Sequence, residues 1–231
     1  MASAIGMHIS MTSRPLPPSS QEKVMPSASE SFVSLFLDLR GPEFFKISAW
    51  AASSVEMANI LVMYIAPSQI PEGVFGASVV RLLRALHTTP ITPIFLAGSL
   101  SVMVGGMFRC YCMSTLGKFW SFSLSVRKEH IIVTSGPYSI VRHPSYTGFL
   151  LQYVGIVITH GSQGSWMRQS GILQLPYIKV LAVIVFFMFT AGALAAINRS
   201  SVEDKMLQRA LGENWESWAK KVKYRLLPGV Y

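Results

Sequence analysis

Near the middle of the chain the stretch Gly136-Pro-Tyr-Ser-Ile-Val-Arg-His-Pro-Ser-Tyr-Thr-Gly148 gathers two Pro, an Arg, a His and two Tyr against the start of an apolar run. Gly136-Pro137 is a turn signal, and Pro144 disfavours a helical conformation at His143 while suiting the first position of a helix. A helix that starts at Pro144 turns unpaired N–H groups and a partial positive charge toward Arg142 and His143. That combination suits an anionic or zwitterionic ligand. Tyr138 and Tyr146 add aromatic faces and hydroxyls. The same residues also suit a capped loop whose Arg and Tyr anchor the lipid headgroup region.

Two further polar groups bracket this stretch. His130 precedes Ile131-Ile132-Val133-Thr-Ser-Gly, and Arg199-x-x-x-Glu203, followed by Asp204, closes a long apolar run. Four residues apart on a helix, Arg199 and Glu203 share one face with Cβ atoms about 5–6 Å apart. They fit a surface ion pair at a span end, worth less than about 1 kcal/mol, or a site that grips charged groups. The order Arg before Glu is the less favourable one for stabilising a helix.

The elements that must position these residues are apolar. Of 231 residues 51% are hydrophobic and only 13% charged, with a net charge of +9, which is too greasy and charge-poor for an ordinary soluble domain. Four stretches, about 45–66, 92–115, 144–160 and 177–197, have roughly the ~20-residue length needed to cross hydrocarbon as a helix, the third being short. FVSLFL (32–37) is too short to span and reads as an interfacial segment. The first 31 residues are polar and Pro/Ser-rich, with no secretory signal pattern. The expectation is an all-α integral membrane protein: a mobile polar tail over 1–31, then one membrane domain over 32–231 with about four transmembrane helices, or five. Residues 199–219 return to helical periodicity as an amphipathic cytosolic helix. Pro90, Pro93, Pro137, Pro144 and Pro176 fall near span starts.

Positive residues cluster before the first stretch (Arg14, Lys23, Arg40), between the second and third (Arg109 to Arg142) and after the fourth, whereas Arg81, Arg84 and Arg168 fall opposite. That asymmetry puts both termini and the 116–143 segment in the cytosol. The charges line membrane-flanking segments and form no nucleic-acid-binding module, so no nucleic-acid partner is expected. Cys110-x-Cys112 stands alone, without the spacing of a zinc site or a disulfide framework, so no metal is expected either.

Taken together, His130-Ile-Ile-Val-Thr-Ser-Gly-Pro-Tyr138, Arg142-His-Pro-Ser-Tyr146, Arg199-x-x-x-Glu203-Asp204, Leu211-Gly-Glu-Asn-Trp215-x-x-Trp218 and the closing Pro228-Gly-Val-Tyr231 resemble the isoprenylcysteine carboxyl methyltransferase family. The resemblance covers about residues 92–231. It implies a multi-pass enzyme of the endoplasmic reticulum that uses S-adenosylmethionine to methylate the C-terminal α-carboxylate of a prenylated cysteine in CaaX-processed proteins. Carried over by position, it implies a cofactor pocket lined by His130, Ile131, Ile132, Val133, Tyr138, His143, Pro144, Ser145 and Tyr146. Glu203 would hold the cofactor, and Arg199 would bind the substrate carboxylate. The chain departs from the family's usual Tyr at Trp215 and Trp218 and from its second Glu at Asp204.

Methyl transfer from a sulfonium to a carboxylate needs neither base nor metal, because the nucleophile is already ionised; it needs alignment. A lipid-borne substrate also suits a spanning enzyme, since prenyl carbons prefer the bilayer by about 0.8 kcal/mol per buried CH₂. No Gly-x-Gly-x-x-Gly follows a strand pattern, so a Rossmann cofactor site is not expected. The rivals are a phospholipid N-methyltransferase, which shares the Arg-His-Pro-x-Tyr element, a membrane sterol reductase and a non-catalytic membrane scaffold. A cation at position 199 suits a carboxylate substrate and repels a protonated amine.

Overall fold

A computed structural model describes residues 1–12, 28–64, 76, 78 and 91–230. The expectations placed on Arg14, Lys23, Arg81, Arg84 and Pro90 lie outside the described residues. Among those residues the elements are helical: α1 (Ala2–Thr12), α2 (Ala28–Asp38), α3 (Gly41–Tyr64), α4 (Pro93–Leu116), α5 (Pro144–Gly161), the short α6 (Trp166–Gln169), α7 (Pro176–Leu211) and α8 (Glu213–Lys221). Single 3-10 turns interrupt the connections at Gly117–Phe119, Gly136–Ser139 and Ile172–Gln174.

Proline punctuates the helix starts as the sequence leads one to expect. Pro93, Pro144 and Pro176 each open a helix in its first turn, where a missing N–H costs nothing. Thr92 caps α4 by accepting from Phe95 N at 3.2 Å. Two helices are long and apolar enough to cross a membrane, Pro93–Phe119 and Pro176–Leu211. Helices also form at the other two apolar stretches, over Gly41–Tyr64 and Pro144–Gly161. Among the described residues, then, two helices meet that test of length and composition where about four crossings are expected.

The centre of the bundle is a close antiparallel pair, α4 against α5, built on glycines seven residues apart. A Cβ on Gly105 would lie 2.7 Å from Gly148 O, and one on Gly155 would lie 2.8 Å from Gly98 O. Only glycine permits that approach, and small residues at such contacts are how apolar helices pack without a hydrophobic driving force between them. Helix α1 packs on the same pair, because a Cβ on Gly106 would collide with Gly6 O. Gln152, fully buried, joins the three helices by donating to Gly6 O at 3.1 Å and Val102 O at 3.5 Å. Met7 and Met11 of α1 join Phe45 and Phe189 in the apolar core.

Two expectations are corrected here. Ala2–Thr12 falls in the segment expected to be a mobile tail, yet it is a packed helix; its Ser and Gly make it look polar, but Gly6 is what lets it seat on α4. The amphipathic segment expected over 199–219 is not a separate helix. α7 runs unbroken from Pro176 to Leu211, because no Gly or Pro interrupts it beyond Gly192, and it ends where Gly212 takes φ 51°. Only α8, after that break, stands apart. Its first turn carries Glu213 and Glu216 and its last Lys220 and Lys221, matching the helix dipole.

Candidate active site

The loop before α5 takes the shape its prolines dictate. Gly136 adopts φ 57° and starts the 3-10 turn Gly136–Ser139; His143 stands outside the helix at φ −127°, ψ 59° as its N-cap residue; Pro144 then opens α5. The chain's C-terminal segment holds this loop in place. Arg142 N donates to Tyr224 O at 2.9 Å, His143 N to Arg225 O at 2.8 Å, and the Thr147 hydroxyl to Leu226 O at 2.6 Å. Helix α7 brings its acidic pair alongside. Tyr146 OH donates to Glu203 Oε2 at 2.8 Å, and His143 Nε2 lies 2.9 Å from Asp204 Oδ1 with its Nδ1 3.6 Å from Glu203 Oε2.

Asp204 is the hub of this arrangement. Its Oδ2 receives Arg225 Nε at 2.9 Å and stands 3.2 Å from Arg142 Nη2, so loop, C-terminal segment and long helix share one buried carboxylate. Arg142 contacts both α7 and the C-terminal region, where its guanidinium lies 5.7 Å from the Trp215 ring centre.

Above these residues opens a cavity with about 930 Å³ of empty space counted to its mouth. Its wall includes His130, Ile131, Ile132, Val133, Tyr138, His143, Ser145, Tyr146, Arg199 and Glu203, drawn from three separate sequence stretches. Pro144 does not reach the wall: at the first helical position it is fully buried beneath it. Phe119, Trp120 and Trp218 supply aromatic faces on the other walls.

Several polar atoms on this wall are buried without a hydrogen-bond partner: Arg109 Nε, Trp120 Nε1, Ser125 Oγ, His130 Nδ1 and Trp218 Nε1. Most are donors, and buried donors without acceptors are costly unless a ligand satisfies them. They fit a ligand rich in acceptors, as a nucleoside or an amino-acid carboxylate is, while Glu203 and the aromatic faces fit a cationic centre. Burial pushes the His130 imidazole below its ordinary value, with the Glu203 carboxylate opposing, so the ring stays neutral at pH 7. Burial also drives the Tyr138 hydroxyl far above its usual range, so it remains a phenol.

A second, apolar cavity, with about 700 Å³ of empty space counted to its mouth, lies behind the first, between α2, α3, α5 and α7, lined by residues such as Phe36, Phe45, Phe149 and Phe189. Arg109, Phe122, Tyr146 and Arg199 line both cavities. Arg199, 6% exposed, does not pair with Glu203 as a surface ion pair. Its Nη2 instead lies 3.3 Å from Glu30 Oε2 of α2, and it donates to Phe122 O. Arg109, 7% exposed, bonds Ser145 O and Oγ at 3.4 and 3.3 Å, with its guanidinium 5.4 Å from the Trp120 ring centre.

Arg109, Trp120, Phe122 and Glu30 escaped the sequence reading as site residues. The signal for Arg109 was present: a lone cation inside an apolar run is a site hypothesis by default. Glu30 and Phe122 carried none. Among the described residues no group of three His, Cys, Asp or Glu could hold a metal ion, and both cysteines are free thiols.

Residues 97–163 match the family model described as "Isoprenylcysteine carboxyl methyltransferase (ICMT) family". The chain is 27% identical over 127 residues to "Protein-S-isoprenylcysteine O-methyltransferase B" of Arabidopsis thaliana, covering 54% of this chain and 55% of that protein. It is 28% identical over 127 residues to "Protein-S-isoprenylcysteine O-methyltransferase" of Saccharomyces cerevisiae, covering 54% and 45%. It is also 28% identical over 114 residues to "Delta(14)-sterol reductase" of Neurospora crassa, covering 43% and 23%. The chain spans about half the length of the curated methyltransferases it matches. The matched family segment holds α4, the loop and α5, whereas Arg199, Glu203 and Asp204 lie beyond it. Through residues 97–163, the chain is similar to the isoprenylcysteine carboxyl methyltransferase family.

Proposed function

We propose that this chain transfers a methyl group from S-adenosylmethionine to the C-terminal carboxylate of a prenylated cysteine. One observation carries the reading: a polar cavity with unpaired donors and an apolar cavity between helices share a wall of Arg109, Phe122, Tyr146 and Arg199. A substrate that is half carboxylate and half isoprenoid needs such a junction. The polar cavity would take the cofactor, which when bound supplies an electrophilic methyl on a sulfonium. His130 to Val133, Tyr138, His143, Ser145 and Tyr146 would hold it, with Glu203 facing its positive charge. Arg199 would orient the incoming carboxylate, and aromatic walls would exclude water from the line of transfer. The apolar cavity would receive the prenyl chain from the bilayer, since its lining is almost wholly hydrophobic.

On this reading residues 32–231 form the membrane unit, with the cofactor part over about 116–231 and α8 with the following segment closing over it. The site and both termini face the cytosol of the endoplasmic reticulum membrane, in keeping with the placement of positive residues.

The test is transfer of labelled methyl from S-adenosylmethionine to N-acetyl-S-farnesylcysteine by membranes containing the chain. Transfer to phosphatidylethanolamine in its place would overturn the assignment. The similarity to a Delta(14)-sterol reductase supports a second reading. Nicotinamide-dependent reduction of a Δ14-sterol without methyl transfer would favour it.

A further inference from the structure

Glu30 brings a carboxylate to the cation that the proposed reaction reserves for its substrate. It does so from α2, far from the loop in sequence: Oε2 lies 3.3 Å from Arg199 Nη2, and Oε1 accepts from Leu124 N at 2.9 Å. Both Glu30 and Arg199 are 6% exposed, so this is a buried pair. Beyond Glu30 along α2, Phe32, Val33, Phe36 and Leu37 line the apolar cavity. The helix therefore offers the site a carboxylate followed by an apolar tract, the same order of groups that a prenylated cysteine offers.

We propose that Glu30 is a resident stand-in for the substrate carboxylate, and that substrate binds by exchanging its own carboxylate for that of Glu30 on Arg199. The inference rests on the function proposed above. Two carboxylates on one buried guanidinium would leave a negative charge uncompensated in a low-dielectric site, next to Glu203 one turn along α7. Exchange keeps the charge count constant: Glu30 leaves for water, and the substrate carboxylate takes the Arg199 guanidinium and the Leu124 N–H. The rival is addition, in which the substrate carboxylate takes Arg109, which lines both cavities, and Glu30 stays in place.

The affinity of a site blocked by one of its own groups is reduced by the fraction of time it is open. A stand-in seated for about nine-tenths of the time thus weakens substrate binding about tenfold. In the full-length protein reconstituted in lipid, Glu30→Gln is expected to lower KM for N-acetyl-S-farnesylcysteine by about tenfold without lowering kcat. Glu30→Asp, one methylene shorter, is expected to move KM the same way and serves if the Gln variant fails to fold. On the unaltered protein, hydrogen exchange over 30–38 should speed up with N-acetyl-S-farnesylcysteine and not with its methyl ester, which lacks the charge, while Leu124 N–H, handed from one carboxylate to the other, stays protected. An unchanged or raised KM, or equal exchange with acid and ester, would overturn the proposal. Faster exchange with the acid but no methyl transfer would leave the stand-in correct and the reaction misassigned.

Discussion

Replacing Asp204 by Asn removes one charge from the point where loop, C-terminal segment and long helix meet. The side chain is 4% exposed and serves His143 at 2.9 Å, Arg225 at 2.9 Å and Arg142 at 3.2 Å. A hydrogen bond to a charged group contributes about 1.5–3 kcal/mol, and Asn keeps the shape and one acceptor while losing the charge. Arg225 is 33% exposed, so its share is close to that of a surface pair, about 1 kcal/mol or less. Arg142 and His143, at 11% and 5% exposure, carry most of the effect. The expected cost is about 3 kcal/mol, which for a chain of this size lowers the unfolding midpoint by roughly 6–12 °C. His143 and Tyr146 line the cavity, so their loosened support should also weaken cofactor binding by about tenfold, or 1.4 kcal/mol. Thermal unfolding and calorimetric binding of S-adenosylmethionine in detergent measure the two effects. A midpoint shift below about 2 °C with unchanged cofactor affinity would refute the hub role of Asp204.

The other expectations separate the site's parts. Arg199→Ala should abolish methyl transfer while S-adenosylmethionine still binds, whereas Glu203→Gln should raise the cofactor's dissociation constant by about tenfold or more; radiolabel transfer and calorimetry distinguish them. Gly148→Val should destabilise the fold by about 1–3 kcal/mol or more, because its Cβ would stand 2.9 Å from Gly105 O, and a wild-type unfolding midpoint would contradict the close pairing of α4 and α5. His130 has its folded value held below 6.5 by burial, so the unfolded chain binds more protons at this residue just below that pH. Stability is therefore expected to fall as pH drops through and below 6.5, and His130→Gln should flatten that limb of a stability-against-pH curve.

What could be seen in the sequence was what proline, glycine and hydropathy enforce locally. The turn at Gly136, the non-helical His143 and the helix start at Pro144 all follow from the backbone limits of a few residues. The apolar stretches told where helices would form, and only the family resemblance suggested that His130, His143 and Glu203 belong to one pocket. The rest depends on partners distant in the chain. Glu30 meets Leu124 across 94 positions, and nothing near either residue announces it. Ala2–Thr12 looks like part of a polar tail until Gly106 offers it a seat. The boundary expected near residue 199 failed for a simpler reason: a change from apolar to charged composition marks the edge of a solvent, not the end of a helix, and α7 passes through it.

That unbroken α7 works as a measuring rod. Met188 on the apolar cavity and Arg199 at the junction sit on one continuous helix, about 16 Å apart along its axis at 1.5 Å per residue. On the proposed function, that continuous helix ties the depth at which an isoprenoid tail settles to the height at which its carboxylate stands. A tail longer than the rod's span would then have to fold back or protrude between helices, and the length of one helix would become a gauge of chain length.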